Sequence, residues 1–159
     1  MLETVDQIES SRRQRPSDGR PGDIAAALRA LAFAASDDAA QSAYHRVLFA
    51  VGNDHAGSYF PIVLDAVPFL GEILEFGTRP SRARALDVLV DVVASFGPDP
   101  DVIAQDGVPP EHLPGLLRER VEVFRPTLDK LVVDSSAPEV QSLARDLIDC
   151  LAKDAAQPG

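Results

Sequence analysis

The most constraining feature of this chain of 159 residues is that its apolar pattern repeats along the sequence. A shift of 58 residues aligns the chain with itself without a gap, placing Pro68 on Pro126 and Leu89 on Leu147. A shift of 42 residues aligns the first third with the middle and places Val47 on Leu89. Self-similarity with a period of about 40 residues is typical of helical solenoids, whose hairpins bury their apolar faces against their neighbours.

Apolar residues at helical spacing define the repeats, and turn residues separate them. Three helical repeats are predicted, at about 24–52, 60–96 and 111–152. An inserted loop at 97–110 (GPDPDVIAQDGVPP) accounts for the difference of 16 residues between the two shifts. Pro68 lies inside the helix expected at 60–76, so a kink or a restart is expected there.

The segments outside the repeats carry no strong apolar pattern. Residues 1–22 are polar, with Pro and Gly near their end, so we expect a short frayed helix at best and a flexible N-terminal arm. A frayed tail is expected at 154–159. β-Branched residues do not form alternating runs anywhere in the chain, so no sheet is expected.

The segment that best shows the repeat is 67–95, VPFLGEILEFGTRPSRARALDVLVDVVAS. It resembles a HEAT repeat, with a proline early in the first helix, a leucine stripe, a turn with Pro and an Ala/Leu-rich second helix. Residues 125–152 resemble a second copy, and 24–51 a diverged first copy. The resemblance implies an all-α fold, a right-handed α-α superhelix of about three HEAT-like helical hairpins. The loop at 97–110 departs from the family pattern, in which repeats stack directly.

Charge narrows the classes of partner. The net charge is −10, and residues 1–22 contribute none of it, because four acids cancel four arginines there. Phosphate neutralisation supplies most of the affinity of nucleic-acid binders, so an acidic chain is poorly suited to that role. The negative electrostatic field of an acidic chain attracts basic proteins and speeds their association with it. Solubility alone also explains an acidic surface.

The sequence also predicts the compartment. Cys150, the single cysteine, excludes an internal disulfide and fits a reducing environment, where it is expected to act as a small buried hydrophobe. No apolar run approaches the ~20 residues of a membrane span, and no apolar stretch follows the N-terminal arginines at signal-peptide spacing. We therefore expect a cytoplasmic protein that does not contact membranes.

One polar face recurs in the second helix of each repeat. Arg84, Asp87 and Asp91 lie opposite the apolar arc of their helix, and the two shifts carry this face to the neighbouring repeats. Second helices of HEAT proteins line the concave surface where partners usually dock. The resemblance thus implies a binding face formed by His45, Phe49, Arg84, Asp87, Asp91, Arg145 and Asp149. An ordinary solvated helix face has the same pattern.

A second candidate site is the polar loop between the first two repeats. It brings Asn53, Asp54, His55 and Tyr59 together, and loops of this kind often contact ligands or partners. The structural alternative is that Asn53 or Asp54 caps the next helix, while Tyr59 and Phe60 fill the core. A Ser/His/Asp triad is not expected, because these residues are too close in sequence and no strand-turn-helix elbow surrounds them.

The sequence has no zinc-spaced ligand pair, no GxGxxG and no Walker motif, so we expect no metal or cofactor. The leading hypothesis is a non-catalytic protein-binding module, a small acidic HEAT-like scaffold or adaptor with a basic protein partner or a second copy of itself. Some stand-alone bacterial domains that resemble HEAT repeats are toxin-neutralising immunity proteins, which is one form of this hypothesis. The alternative is a HEAT-fold DNA glycosylase acting on alkylated bases, which requires a basic concave surface.

Overall fold

A computed structural model describes residues 1–155 of the chain. These residues are mostly helical, so the all-α class expected from the sequence is confirmed. The α-helices of this described part are α1 (Asp23–Ala32), α2 (Asp37–Val51), α3 (Val63–Phe76), α4 (Arg79–Val90), α5 (Leu113–Glu122), α6 (Arg125–Val133) and α7 (Pro138–Ala155).

The helices form two layers. Helix α1 packs on α2, α3 on α4, and α6 on α7, so consecutive helices pair as hairpins. The second helices of these pairs pack side by side in the order α2, α4, α7. In the other layer α1 contacts α3, and α3 contacts both α5 and α6. Apolar side chains between the layers form a continuous buried core, with Leu28, Leu70, Leu89 and Leu128 fully enclosed.

Side chains at the N-terminus of α4 join the first two hairpins. The Thr78 hydroxyl accepts the backbone N–H of Ser81 at 3.3 Å and so caps α4. It also donates to the carbonyl of Ala34 at 3.1 Å, while the Ser81 hydroxyl donates to the carbonyl of Ala32 at 3.2 Å. Carbonyls at a helix C-terminus have no donor within the helix, so these contacts satisfy the end of α1 and fix α4 beside it.

Helix α3 continues through Pro68, where the sequence predicts a kink or a restart. Because proline has no N–H, it cannot donate to the carbonyl of Leu64, four residues earlier. The Arg120 guanidinium from α5 donates to this carbonyl at 3.0 Å. A side chain from another helix thus replaces the missing backbone hydrogen bond, which helps the helix to remain unbroken.

Residues 1–22 differ from the flexible arm that the sequence predicts. Val5–Ser10 form a 3₁₀ helix that packs against α1 and α3, and Leu2, Val5 and Ile8 are buried. A 3₁₀ helix has three residues per turn, so apolar residues three apart lie on one side of it. This spacing explains the docking. We call residues 1–22 the N-terminal strap.

The strap also holds the loop at 97–110. The side chain of Gln14 donates to the carbonyl of Asp101 at 2.9 Å and accepts the N–H of Ile103 at 2.9 Å. The Gln105 side chain accepts the N–H of Gln14 at 3.1 Å and donates to the carbonyl of Arg12 at 2.6 Å. These amide contacts give the long loop a defined position against the strap.

A small sheet corrects the prediction that the chain forms none. Strand β1 (Gly52–Asn53) pairs antiparallel with β2 (Ser58–Tyr59), which pairs parallel with β3 (Gly97–Pro98). Strands of two residues are too short for an alternating pattern to show in the sequence. A Cβ atom at Gly52 would lie 2.0 Å from the carbonyl oxygen of Ser58, so the close pairing of the first two strands requires glycine there.

No helix within residues 1–155 is long and apolar enough to cross a membrane. The frayed tail expected at 154–159 lies largely outside the described residues. Only the backbone of 154–155 is described, and it continues α7.

Candidate functional site

The polar surface of α2, α4 and α7 is organised around Arg84. Its Nη1 atom lies 2.5 Å from the Asp87 carboxylate and 3.2 Å from the side-chain oxygen of Gln41 on α2. Its Nη2 atom forms an ion pair with Glu139 on α7. One guanidinium therefore connects the three helices of this layer, and we call their shared polar surface the α2/α4/α7 face.

Two half-buried carboxylates, Asp87 and Asp91, follow Arg84 along the same helical segment. Burial raises the pKa of Asp87, with the Arg84 charge acting against it and Asp91 and Glu139 adding to it. Burial also raises the pKa of Asp91, although the hydrogen bond from the Tyr44 hydroxyl lowers it. The fold thus keeps two aspartates four residues apart at positions where their charged forms are disfavoured.

A π-helical turn, Asp91–Ser95, extends α4 at this point. Asp91 begins the turn, and its backbone carbonyl accepts the N–H of Phe96 at 2.8 Å. Turns of this kind are rare and are often found at functional sites.

The loop between β1 and β2 lies against the same face. The Asp54 carboxylate is 2.7 Å from His45 Nδ1, and the amide nitrogen of Gln41 is 3.2 Å from His45 Nε2. The His55 ring meets the Phe49 ring edge-on, with their centroids 5.1 Å apart. The two sites that the sequence presents as alternatives are therefore contiguous, joined by contacts between the loop and α2.

Tyr59 occupies the core position that its structural alternative predicts, whereas neither Asn53 nor Asp54 caps the next helix, because the N-cap of α3 is Ile62 and no side chain caps it. Tyr59 is 1% exposed, and its hydroxyl has no hydrogen-bond partner among the described residues. Burial raises its pKa to about 12. Phe60 is also buried, whereas Asn53 is exposed and accepts the N–H of Ala56 at 3.1 Å within the loop. Neither Tyr59 nor Phe60 presents its ring to solvent on the α2/α4/α7 face.

Arg145 and Asp149 are exposed on α7, but no hydrogen bond or ion pair links them to α2 or α4 in the described part of the chain. Glu139 makes the contact from α7 instead. Sequence reasoning missed Glu139, and it also missed Gln41 and Tyr44. Gln41 precedes His45 by four residues, so helical spacing places both on one face. The role of Glu139 depends on how α7 packs against α4, and no local signal indicates it.

A cleft adjoins the face at Phe49. Its volume is about 640 Å³, and its walls come from the strap, α1, α2, β1 and the start of the 97–110 loop. Most of its charged lining is acidic. The charged lining residues are Asp18, Asp23, Asp99, Asp101 and Arg46. We call it the N-terminal cleft.

The geometry places limits on the chemistry of this region. The Ser58 hydroxyl is buried and donates to Asp99 at 2.6 Å, so it does not face His45 or His55 as a triad nucleophile would. Among the described side chains, no group of three His, Cys, Asp or Glu residues is placed to hold a metal ion. What the arrangement offers is a set of carboxylates and aromatic rings suited to cationic groups.

Comparisons of the chain with protein-family models, with curated proteins and with solved structures found no match.

Proposed function

We propose that this chain is a non-catalytic protein-binding module that docks a basic protein on its α2/α4/α7 face. In this proposal the hairpins form a short HEAT-like superhelix, right-handed, with the second helices on its concave side. The pairing of the helices and the side-by-side order of α2, α4 and α7 support that architecture.

The observation that carries the proposal is the state of Asp87 and Asp91. Burial raises the pKa of both, so each carries its negative charge at an energetic cost in the free protein. A positive group from a partner would relieve this cost, because an opposite charge nearby favours the ionised carboxylate. Asp54 and Glu139 add two further carboxylates to the same surface.

The alternative, a DNA glycosylase, requires a surface that attracts phosphates. On the α2/α4/α7 face Arg84 and Arg79 are already paired with carboxylates of the chain, Arg84 with Asp87 and Glu139 and Arg79 with Asp37 and Glu139, and the net charge of the chain is −10. A duplex on this face would be repelled rather than held, since phosphate contacts from Lys and Arg supply most of the affinity for DNA.

Affinity capture with the purified chain as bait tests the proposal, using lysate of the source organism at low and at high salt. We expect a stoichiometric basic protein that is lost at high salt, because exposed charge pairs are screened. It should also be lost with Asp87→Lys/Asp91→Lys. A second variant, Asp87→Asn/Asp91→Asn, removes both charges without placing lysine beside Arg84.

The matched control is Glu119→Lys/Asp129→Lys, which makes the same change in net charge at exposed positions of α5 and α6. Circular dichroism melts establish that each variant is folded. Equal capture by the wild type and by both face variants would contradict the proposal. A mobility shift with duplex DNA that survives physiological salt would favour the glycosylase instead.

A more specific form of the proposal rests on the HEAT resemblance: the basic partner is a nuclease toxin that this protein neutralises. The captured protein would then degrade nucleic acid alone and lose that activity in an equimolar mixture with the wild-type chain. The Asp87→Lys/Asp91→Lys variant would fail to inhibit it. A partner without nuclease activity would contradict the toxin-neutralising form of the proposal, and the proposal of a protein-binding module would still stand.

A further inference from the structure

The N-terminal cleft differs from the α2/α4/α7 face in how its charges are satisfied. On the face, Asp87 pairs with Arg84, Asp54 with His45, and Asp91 accepts from a tyrosine. In the cleft, four aspartates and Arg46 line one space, and no ion pair within residues 1–155 involves any of them. The cleft therefore presents an excess of negative charge that the described part of the chain leaves uncompensated.

Hydrogen bonds from backbone N–H groups and from one hydroxyl orient two of these carboxylates. Asp99 accepts the Ser58 hydroxyl at 2.6 Å and the N–H of Asp101 at 3.0 Å. Asp23 accepts the N–H of Arg20 at 2.8 Å. The Asp18 and Asp101 carboxylates are exposed and accept no hydrogen bond from the described residues. They remain available to donors from outside the chain.

An aromatic ring lies among these carboxylates. Phe49 is 44% exposed, and the edge-on contact with His55 supports its ring from one side. Phe60 also lines the cleft and is buried beneath it. A volume of about 640 Å³ is within the range of sites that hold small molecules or side chains.

We propose that the N-terminal cleft is the subsite for an arginine side chain of the basic partner. This rests on the proposed function and identifies the chemistry that the partner presents. The guanidinium stacks on the ring of Phe49 and donates to Asp18 and Asp101 at the rim. Arg46, at the same rim, receives an acidic or carbonyl group that flanks the arginine.

Arginine fits this cleft better than lysine does. Its planar guanidinium stacks on aromatic rings and carries five donors that reach several carboxylates at once. The ammonium of lysine is a compact, strongly hydrated charge with three donors, and it gains less from stacking on a ring. The cleft combines a ring with several carboxylates, which is the arrangement that a guanidinium uses fully.

The probe is a short peptide, acetyl-Gly-Arg-Gly-Arg-Gly-amide, titrated into the isotope-labelled full chain and followed by backbone amide shifts in NMR spectra. Its matched control replaces both arginines with citrulline, which has nearly the same shape and no charge. A lysine version is titrated in parallel. The protein variants are Phe49→Ala, Asp18→Asn/Asp101→Asn and, as a control at exposed positions of α5 and α6, Glu119→Gln/Asp129→Asn.

We expect shifts concentrated at 16–23, 46–53 and 99–101, with weaker binding of the lysine peptide and none of the citrulline peptide. Phe49→Ala should weaken binding about two- to five-fold, the value of an exposed cation–π contact. Asp18→Asn/Asp101→Asn should weaken it about five-fold or more, and Glu119→Gln/Asp129→Asn should leave it unchanged. Shifts centred on Asp87 and Asp91, or equal binding of the citrulline peptide, would overturn the proposal.

The outcome separates this inference from the proposed function. If a basic protein is captured through Asp87 and Asp91 while the arginine peptide does not bind the cleft, the inference fails and the binding module stands. If the peptide binds the cleft while the capture shows no dependence on the face, the docking face is wrong and the arginine subsite stands.

Discussion

Among the residues of the candidate site, Asp91 shows how environment decides the behaviour of one side chain. Helical spacing alone predicts an exposed carboxylate on a polar face. In the structure it is half-buried, it accepts the hydroxyl of Tyr44, and it lies near Asp54 and Asp87. These neighbours come from three different segments, so the sequence around Asp91 does not reveal the shift in its pKa.

This shift has a consequence for stability. Burial raises the pKa of Asp91 above the usual 3.8, so the folded state binds more protons than the unfolded state between the two values. The free energy of unfolding therefore falls as the pH rises through that window. We expect Asp91→Asn to raise the melting temperature at pH 7, because Asn is neutral and still accepts from Tyr44.

The gain from Asp91→Asn should shrink as the pH approaches 3.8, where wild-type Asp91 also becomes neutral. Thermal melts of wild type and variant at pH values from about 4 to about 7 measure this gain. The range begins near the usual pKa of an aspartate. Asp146→Asn, at an exposed position of α7, is the control and should show no such trend. A variant that is less stable at pH 7 would contradict the shift.

At the scale of single elements, α3 depends on a side chain from α5. The carbonyl of Leu64 lacks its usual donor because residue 68 is proline, and Arg120 supplies the hydrogen bond at 3.0 Å. The sequence around Pro68 predicts a kink or a restart from the missing N–H, and α3 instead continues through this position as one helix. Whether an arginine from another helix replaces the missing hydrogen bond depends on the packing of α5 against α3.

A double-mutant cycle tests this repair. Arg120→Ala should lower the free energy of unfolding by about 1.5–3 kcal/mol, the usual contribution of a hydrogen bond to a charged group. In the Pro68→Ala background the loss should be smaller, because the N–H of alanine donates to Leu64 within the helix. Urea unfolding of the four proteins measures the difference. Equal losses in both backgrounds would show that Arg120 acts elsewhere, and Glu119→Ala controls for changes in α5 itself.

On the scale of the whole molecule, the strap connects parts that the repeats alone leave separate. It buries Leu2, Val5 and Ile8 against α1 and α3, and its Gln14 side chain holds the 97–110 loop. One wall of the N-terminal cleft is also formed by the strap. The segment predicted to be a flexible arm thus contributes both to the core and to the shape of the candidate site.

The docking of the strap predicts a large effect from a small substitution. Ile8→Ala should lower the free energy of unfolding by about 2–5 kcal/mol, as for other buried isoleucines. Gln7→Ala, at the exposed neighbouring position, should change it little. Chemical unfolding compares the two variants with the wild type. A flexible arm would give the same small effect for both.

Much of the secondary structure is predictable from local pattern. The repeat expected at 24–52 matches α1 and α2, which span Asp23–Val51, and Gly77 and Thr78 separate α3 from α4, with Pro80 in the first turn of α4. The small sheet and the docked strap were not predicted. Two-residue strands leave no periodic signal, and three apolar residues at 3₁₀ spacing form too short a pattern to stand out in a polar segment.

The residues of the candidate site were likewise predictable only in part. His45, Arg84, Asp87 and Asp91 were predicted on one face and lie on it, because helical spacing places them there. Their partners and the N-terminal cleft were not predicted. Each depends on segments tens of residues apart meeting in space, as when Arg84 on α4 reaches Glu139 on α7.

By itself, the sequence determined where the helices form, which side of each is apolar, and the acidic balance of the chain, because these follow from residue spacing and composition. Only the tertiary structure decided which polar groups meet. It joined the loop at Asp54 to His45, placed Arg84 between three helices, and docked the strap against α1 and α3. The physical reason is range: a helical pattern is read over a few turns, whereas burial and charge pairing depend on which distant segments pack together.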